Sequence, residues 1–131
     1  MNIIPEISVC IPTFNGESYI NEALDSILIQ DFDDYEVIIS DDSSSDNTLA
    51  IVRNHELYEK GIILIVENSS RGIGSNWNNC INHAHGTYIK LLFQDDLLNR
   101  GCLRKMRSAL TSGVAMVWSR KRLIGDVPEG R

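Results

Sequence analysis

A chain of 131 residues suits one domain, and its 43% hydrophobic and 23% charged residues allow a packed core and exclude a disordered polar chain. A formal net charge of -6 argues against non-specific nucleic-acid binding, which rests on cationic neutralisation of phosphates. No apolar stretch approaches the roughly 20 residues needed to cross a bilayer, and Met1 to Glu6 lack the basic region and long apolar core of a signal peptide. A protein of the cytoplasm, or of the cytoplasmic face of a membrane, is therefore expected.

The first strand is Ile7-Ser8-Val9-Cys10-Ile11-Pro12, nearly continuous and apolar, as buried parallel strands are. A turn at Thr13-Phe14-Asn15-Gly16 leads to a helix over about 18–30, where Ile20, Leu24, Ile27 and Leu28 fall at helical spacing. The second strand covers about 35–40. Ser43 to Asp46 offer N-cap oxygens for a helix running through Leu49 and Val52 toward Tyr58, and Gly61 ends it. Ile62 to Val66 form a third strand rich in β-branched residues. A polar loop from Asn68 to Ser75 precedes a helix over 76–84, with Gly86 as its stop. Thr87 to Phe93 make a fourth strand, about 97–110 another helix, and Val114 to Trp118 a short fifth strand. This alternation implies a three-layer α/β/α domain with a mostly parallel, Rossmann-like sheet. The three cysteines, Cys10, Cys80 and Cys102, form no CxxC motif, so neither a disulfide framework nor a zinc site is expected.

Two carboxylate pairs stand out. Asp41-Asp42 follows the second strand and Asp95-Asp96 follows the fourth. In open α/β sheets the carboxyl edge of the strands is where ligands bind. Adjacent carboxylates repel, and a fold keeps them only when a cation, a donor group or water compensates. One pair alone reads as loop and helix-cap chemistry; two on one edge point to a polar, metal-assisted site. Arg71-Gly72-Ile73-Gly74-Ser75 lacks the third glycine of a dinucleotide loop and follows the wrong strand, and GxxxxGK[ST] is absent. Asp95-Asp96 can hold Mg²⁺ or Mn²⁺, which prefer oxygen ligands and share their shell with substrate phosphates. Asp41-Asp42 can accept hydrogen bonds from a nucleobase N–H or a ribose hydroxyl. Phe14 either lies against a base or closes the rim of the core. Trp77 packs its helix on the sheet or lines the site, and Arg71 is a solvated loop charge or a phosphate ligand. His55, His83 and His85 show no metal-ligand spacing.

Three segments carry a resemblance: Val9-Cys10-Ile11-Pro12-Thr13-Phe14-Asn15-Gly16-Glu17, Ile39-Ser40-Asp41-Asp42-Ser43-Ser44-Ser45-Asp46-Asn47-Thr48, and Gly86-Thr87-Tyr88-Ile89-Lys90-Leu91-Leu92-Phe93-Gln94-Asp95-Asp96-Leu97. In this order and spacing they resemble the inverting family 2 glycosyltransferases of GT-A fold, over about Ile7 to Trp118. The resemblance implies a nucleotide-sugar site, with a UDP-sugar as the expected donor and Mn²⁺ or Mg²⁺ as cofactor. It sets Pro12, Thr13, Phe14 and Asn15 beside the base, with Glu17 in support. Asp42 first, and Asp41 second, would contact uracil and ribose. The later pair is the DxD-type motif, with Asp96 on the metal and Asp95 on ribose or a metal-bound water. Arg71, Asn76 and Trp77 complete the expected nucleotide-binding set.

The chain departs from the family in three places. Ser75-Asn76-Trp77-Asn78 stands where many members have Ala-Arg-Asn, so Arg71 is the substitute cation for the diphosphate. Ser43 stands where glycine is usual, which disfavours a left-handed turn. The family's acceptor-binding half and general base lie C-terminal to this sheet; Asp126 and Glu129 are the last carboxylates here, and their context does not match that base. The expectation is thus a single donor-binding domain over 1–131, lacking the part that receives a glycan or lipid-linked acceptor for cell-surface polysaccharide synthesis. Two alternatives are a nucleotide-sugar-binding module without turnover, and a Mg²⁺-dependent signalling receiver, which would carry an acidic pair after its first strand rather than Pro12-Thr13-Phe14-Asn15.

Overall fold

A computed structural model describes residues 3–119, 121, 122 and 124; Asp126 and Glu129 lie outside them. Strand β1 (Ile7–Thr13) is buried at every position. Its alternating side chains feed two different cores, which is why it shows no polar face. Beside it run β2 (Tyr35–Asp41), β3 (Ile63–Glu67) and β4 (Tyr88–Leu91), all parallel, in the order β3-β2-β1-β4. The β1–β2 register pairs Ile7 with Tyr35 and ends with Thr13 opposite Asp41, so both strands finish at one level.

Among the described residues, five helices cover the sheet: α1 (Ile20–Leu28), α2 (Thr48–Arg53), α3 (Glu56–Glu59), α4 (Ile73–Asn82) and α5 (Cys102–Ala109). On one face Val9, Ile11, Val37 and Ile39 pack against Ile20, Leu24 and Ile27 of α1, with Val52, Leu57 and Leu103 closing the cluster. On the other face Cys10 and Ile38 meet Cys80 of α4, flanked by Val66, Ala84 and Leu91. Each fully buried Ile or Leu contributes roughly 1.5–3 kcal/mol of transfer free energy. The expected three-layer α/β/α architecture is therefore present. Among the described residues, no helix is long and apolar enough to cross a membrane.

Several expected elements differ. Val114 to Trp118 pair with no strand among the described residues, and β4 pairs only with β1. A turn closed by Val114 N–H on the Thr111 carbonyl sends that segment along the groove between β4 and α5, lined by Ala115, Met116 and Val117. The helix expected to run from Ser43 toward Tyr58 is two helices. His55 adopts an extended backbone between them, and its Nδ1 accepts the Leu57 N–H to cap α3. His55 Nε2 lies 2.8 Å from Asp25 Oδ1, tying α3 to α1. The helix expected from residue 97 starts at Cys102. Before it, side chains of the α1 region take the backbone groups: Ser26 Oγ accepts the Leu98 N–H, and Gln30 Nε2 donates to the Asn99 carbonyl. Gly86 is not the stop of α4, which ends at Asn82. A Cβ at Gly86 would fall 2.7 Å from the Ser8 nitrogen, so glycine serves a close approach to β1.

Candidate functional site

The loops after β1, β2, β3 and the end of β4 all emerge at the carboxyl edge of the sheet, as parallel strands require. Two latches join the first two loops. Asn15 N–H donates to Ser44 Oγ at 2.9 Å, and Asn15 Oδ1 accepts the Ser45 N–H at 2.9 Å. Glu17 N–H donates to Asp46 Oδ2, while Glu17 Oε2 accepts the Asn47 N–H, both at 3.1 Å. Burial opposes ionisation of Asp46, but the Thr48 hydroxyl and the Thr48 and Glu17 N–H groups outweigh it and hold its carboxyl below the usual range. These are side chains doing the work of a strand pairing where strand geometry has ended.

The two members of the first carboxylate pair have different environments. Asp41 is 3% exposed. Its Oδ1 accepts the Thr13 hydroxyl at 2.9 Å and the Ser44 hydroxyl at 2.6 Å, and its Oδ2 accepts the Ser44 N–H at 2.9 Å. Three donors compensate the buried charge, and Asp41 fixes the turn. Asp42 is half-buried and reaches sideways: Oδ1 accepts Asn68 Nδ2 at 2.8 Å and Oδ2 accepts the Gly72 N–H at 3.0 Å. It thereby holds the loop that carries Arg71, which is exposed and left-handed at φ 44°.

The other expected residues divide in the same way. Pro12 and Thr13 are buried at the end of β1, and Phe14 stands 55% exposed just beyond them. Asn76 is 4% exposed beneath the edge, where its Oδ1 accepts the Ser40 hydroxyl at 2.7 Å and its Nδ2 donates to the Thr13 carbonyl at 3.2 Å. Trp77 is partly exposed and packs its ring 5.0 Å from that of Phe93. Asp95 is exposed and Asp96 half-buried in the turn after β4, where the Asp96 N–H donates to the Phe93 carbonyl. The described residues contain no group of three or more His, Cys, Asp or Glu side chains arranged to hold a metal. Two adjacent carboxylates fit a hard cation that takes its remaining ligands from water and phosphate, and do not fit a closed protein cage.

Three residues of this edge were not foreseen: Asn68, Asn79 and Gln94. Asn79 donates to Ser40 Oγ and to the Glu67 carbonyl, bridging β2 and β3. Gln94 pairs with the main chain of Phe14. Polar amides in otherwise apolar or loop contexts were the signal, but their partners are distant in sequence.

The glycosyl transferase family 2 model matches residues 8–130. A GalNAc(5)-diNAcBac-PP-undecaprenol beta-1,3-glucosyltransferase of Campylobacter jejuni is 36% identical over 116 residues, covering 88% of this chain and 38% of that protein. Staphylococcus aureus TarS residues 1–349, solved in complex with UDP, match with a TM-score of 0.72 at 32% identity, over 79% of this chain and 31% of that one. A mannosyltransferase of Pyrobaculum calidifontis, solved with GDP-Man and Mn²⁺, matches with a TM-score of 0.65 at 30% identity, over 73% of this chain and 29% of that one. The chain thus spans well under half the length of these relatives. The family match also sets aside the receiver-like alternative. With its parallel sheet, its two carboxylate pairs on one edge and a match over nearly all of its length, the chain belongs to glycosyltransferase family 2.

Proposed function

We propose that this chain is a donor-binding unit that holds a nucleoside diphosphate sugar, UDP-linked, together with Mn²⁺ or Mg²⁺. The observation that carries this reading is the meeting of Phe14, Asp42 and Asp95-Asp96 at one sheet edge, in a fold whose neighbours were solved with UDP and with GDP-Man and Mn²⁺. Phe14 offers an exposed ring to the face of the base. Asp42 exchanges its present donors, Asn68 and the Gly72 N–H, for a base N–H or a ribose hydroxyl. Asp41, Pro12, Thr13, Asn15 and Glu17 hold the loops in shape, and Asn76 supports them from below. Arg71 lies in the loop that Asp42 holds, and it faces the diphosphate. Trp77 with Phe93 walls the site. Asp96 holds the metal, with Asp95 on ribose or on a metal-bound water. When bound, the metal neutralises the diphosphate and stabilises it as a leaving group.

In the whole protein the reaction is inverting transfer of the sugar to a hydroxyl of a glycan or lipid-linked acceptor, in cell-surface glycan synthesis. A general base would deprotonate that hydroxyl for in-line attack; no described residue is assigned this role. Use of nucleotide sugars is consistent with work in the cytoplasm or at the cytoplasmic face of a membrane. The test is calorimetry of UDP binding with Mn²⁺ and then with a chelator, on the chain and on Asp96→Asn. Binding that needs both metal and Asp96 is expected. Equal binding in all conditions would overturn the assignment of Asp96, and no binding at all would overturn the donor-site reading.

A further inference from the structure

Gln94 sits one residue before the Asp95-Asp96 pair, and the site as described gives it no role. Its Oε1 accepts the Phe14 N–H at 2.9 Å, and its Nε2 donates to the Phe14 carbonyl at 3.0 Å. One side chain thus satisfies both main-chain groups of a residue 80 positions away. The β1–β4 register ends with Cys10 opposite Leu91, and a last ladder bond runs from the Leu92 N–H to the Cys10 carbonyl. Beyond that point the two chains part, and the Gln94 amide takes over as a substitute strand. A second observation points the same way. Gly16 is not among the glycines with positive φ, so its backbone does not require glycine. A Cβ there would strike the Gln94 amide, lying 2.6 Å from Cδ and closer still to Oε1. An added methyl at Gly16 would have to displace the flexible end of the Gln94 side chain.

From this geometry we infer that Gln94 is a positioning residue that makes the base-binding loop and the metal-holding turn one rigid unit, so that metal and nucleotide bind cooperatively. The inference rests on the donor-site reading above. Phe14 carries the base contact and Asp96 the metal contact, and a nucleoside diphosphate spans the two. A clamp between them fixes the distance that the ligand must bridge, and fixing it in advance removes an ordering cost from binding. Without the clamp, each half still binds its own group, but the reward for binding both falls. Both hydrogen bonds lie at the surface, outside the two apolar cores, so the fold itself depends on them little.

The readout is the metal gain, the ratio of UDP affinity with Mn²⁺ to that with chelator, measured by calorimetry alongside the melting temperature. In Gln94→Ala the metal gain is expected to fall about fivefold to tenfold, equivalent to about 1–1.4 kcal/mol, with little change in melting. Gly16→Ala should reproduce that loss by displacing the amide. In the Gln94→Ala background, Gly16→Ala should cost nothing further, because the clash is gone. If Gly16→Ala alone fails to fold, restored folding in the double variant reports the same clash, and continued unfolding overturns it. An unchanged metal gain in Gln94→Ala, or losses that simply add, would overturn the inference while leaving the donor site standing. An unsubstituted chain with no UDP binding overturns the donor-site reading and this inference with it, and one that binds UDP with no metal gain overturns the assignment of Asp96 and this inference.

Discussion

Among the described residues, three non-glycine residues adopt left-handed backbone: Asn15 at φ 46°, Ser43 at φ 62° and Arg71 at φ 44°. Each lies in a loop at the carboxyl edge, one after each of the first three strands. Asparagine tolerates this region because its side chain bonds locally, as Asn15 does with Ser45. Serine and arginine have less compensation, and such strain gathers where surrounding structure holds it for a purpose. At Ser43 that structure is the Asp41 carboxylate, which grips the hydroxyl and N–H of Ser44. Ser43→Gly is therefore expected to stabilise the chain. Relief of the left-handed strain outweighs the added unfolded-state entropy of glycine, for a net of about 0.5–1 kcal/mol. Thermal melts should show a rise of a few degrees, about 2–4 °C; a fall would mean that the turn is unstrained. The sequence marked Ser43 as a departure from glycine, but the positive φ itself became visible only in the fold. The resemblance ranked Asp42 ahead of Asp41 but gave no physical reason for the difference. Their division into a buried turn-former and a half-buried, outward carboxylate follows from Thr13 standing opposite Asp41 in the register, which no local pattern reveals.

At the scale of elements, the first four strands were legible because each is a short apolar run followed by polar loop residues, which in β1 and β2 reflects burial on both faces. The fifth was not, since an apolar segment becomes a strand only where a neighbour offers matching register, and Ala115, Met116 and Val117 line a groove instead. Similarly, helical spacing through Val52 and Leu57 could not reveal the His55 break, which depends on Asp25 of another helix. Gln94 escaped for the same reason, as its partner lies 80 positions away in the chain. The opposite end of the sheet carries a comparable long-range device. Glu36 Oε1 accepts the Ser8 hydroxyl at 2.7 Å and the His85 N–H at 2.6 Å, and Oε2 lies 3.0 Å from His85 Nδ1. Burial opposes ionisation of Glu36, but these donors outweigh it and hold its carboxyl below the usual range. A carboxylate depressed in the folded state adds stability above its unfolded pKa, about 4.3, and that stability is lost as pH falls through the folded value. Glu36→Gln should therefore lower the melting temperature at pH 7 and leave it nearly unchanged near pH 2. An equal loss at both pH values would show that Glu36 acts through packing alone.

For the whole molecule, the proposed metal site draws on only two side chains, and they stand at the same sheet edge as Phe14 and Asp42. Asp95 and Asp96 are the only adjacent carboxylates on the β4 turn, and no third His, Cys, Asp or Glu among the described residues joins them. Two carboxylates in a solvent-facing turn leave most of a six-ligand shell to water, and such sites bind Mg²⁺ or Mn²⁺ weakly until a phosphate joins. The net charge of -6 makes the surface mildly favourable to cations and unfavourable to a free diphosphate. The two ligands should consequently depend on each other: metal binds poorly without UDP, and UDP binds poorly without metal. By linkage the enhancement must be the same factor in both directions. Titrating Mn²⁺ by electron paramagnetic resonance, with and without saturating UDP, measures one direction, and UDP calorimetry with and without Mn²⁺ measures the other. The expected result is a matching gain of about tenfold or more, a coupling of about 1.4 kcal/mol, abolished in Asp96→Asn. Tight Mn²⁺ binding in the absence of UDP would point instead to a metal held by ligands other than this pair, and the diphosphate would lose its place as the group that completes the site.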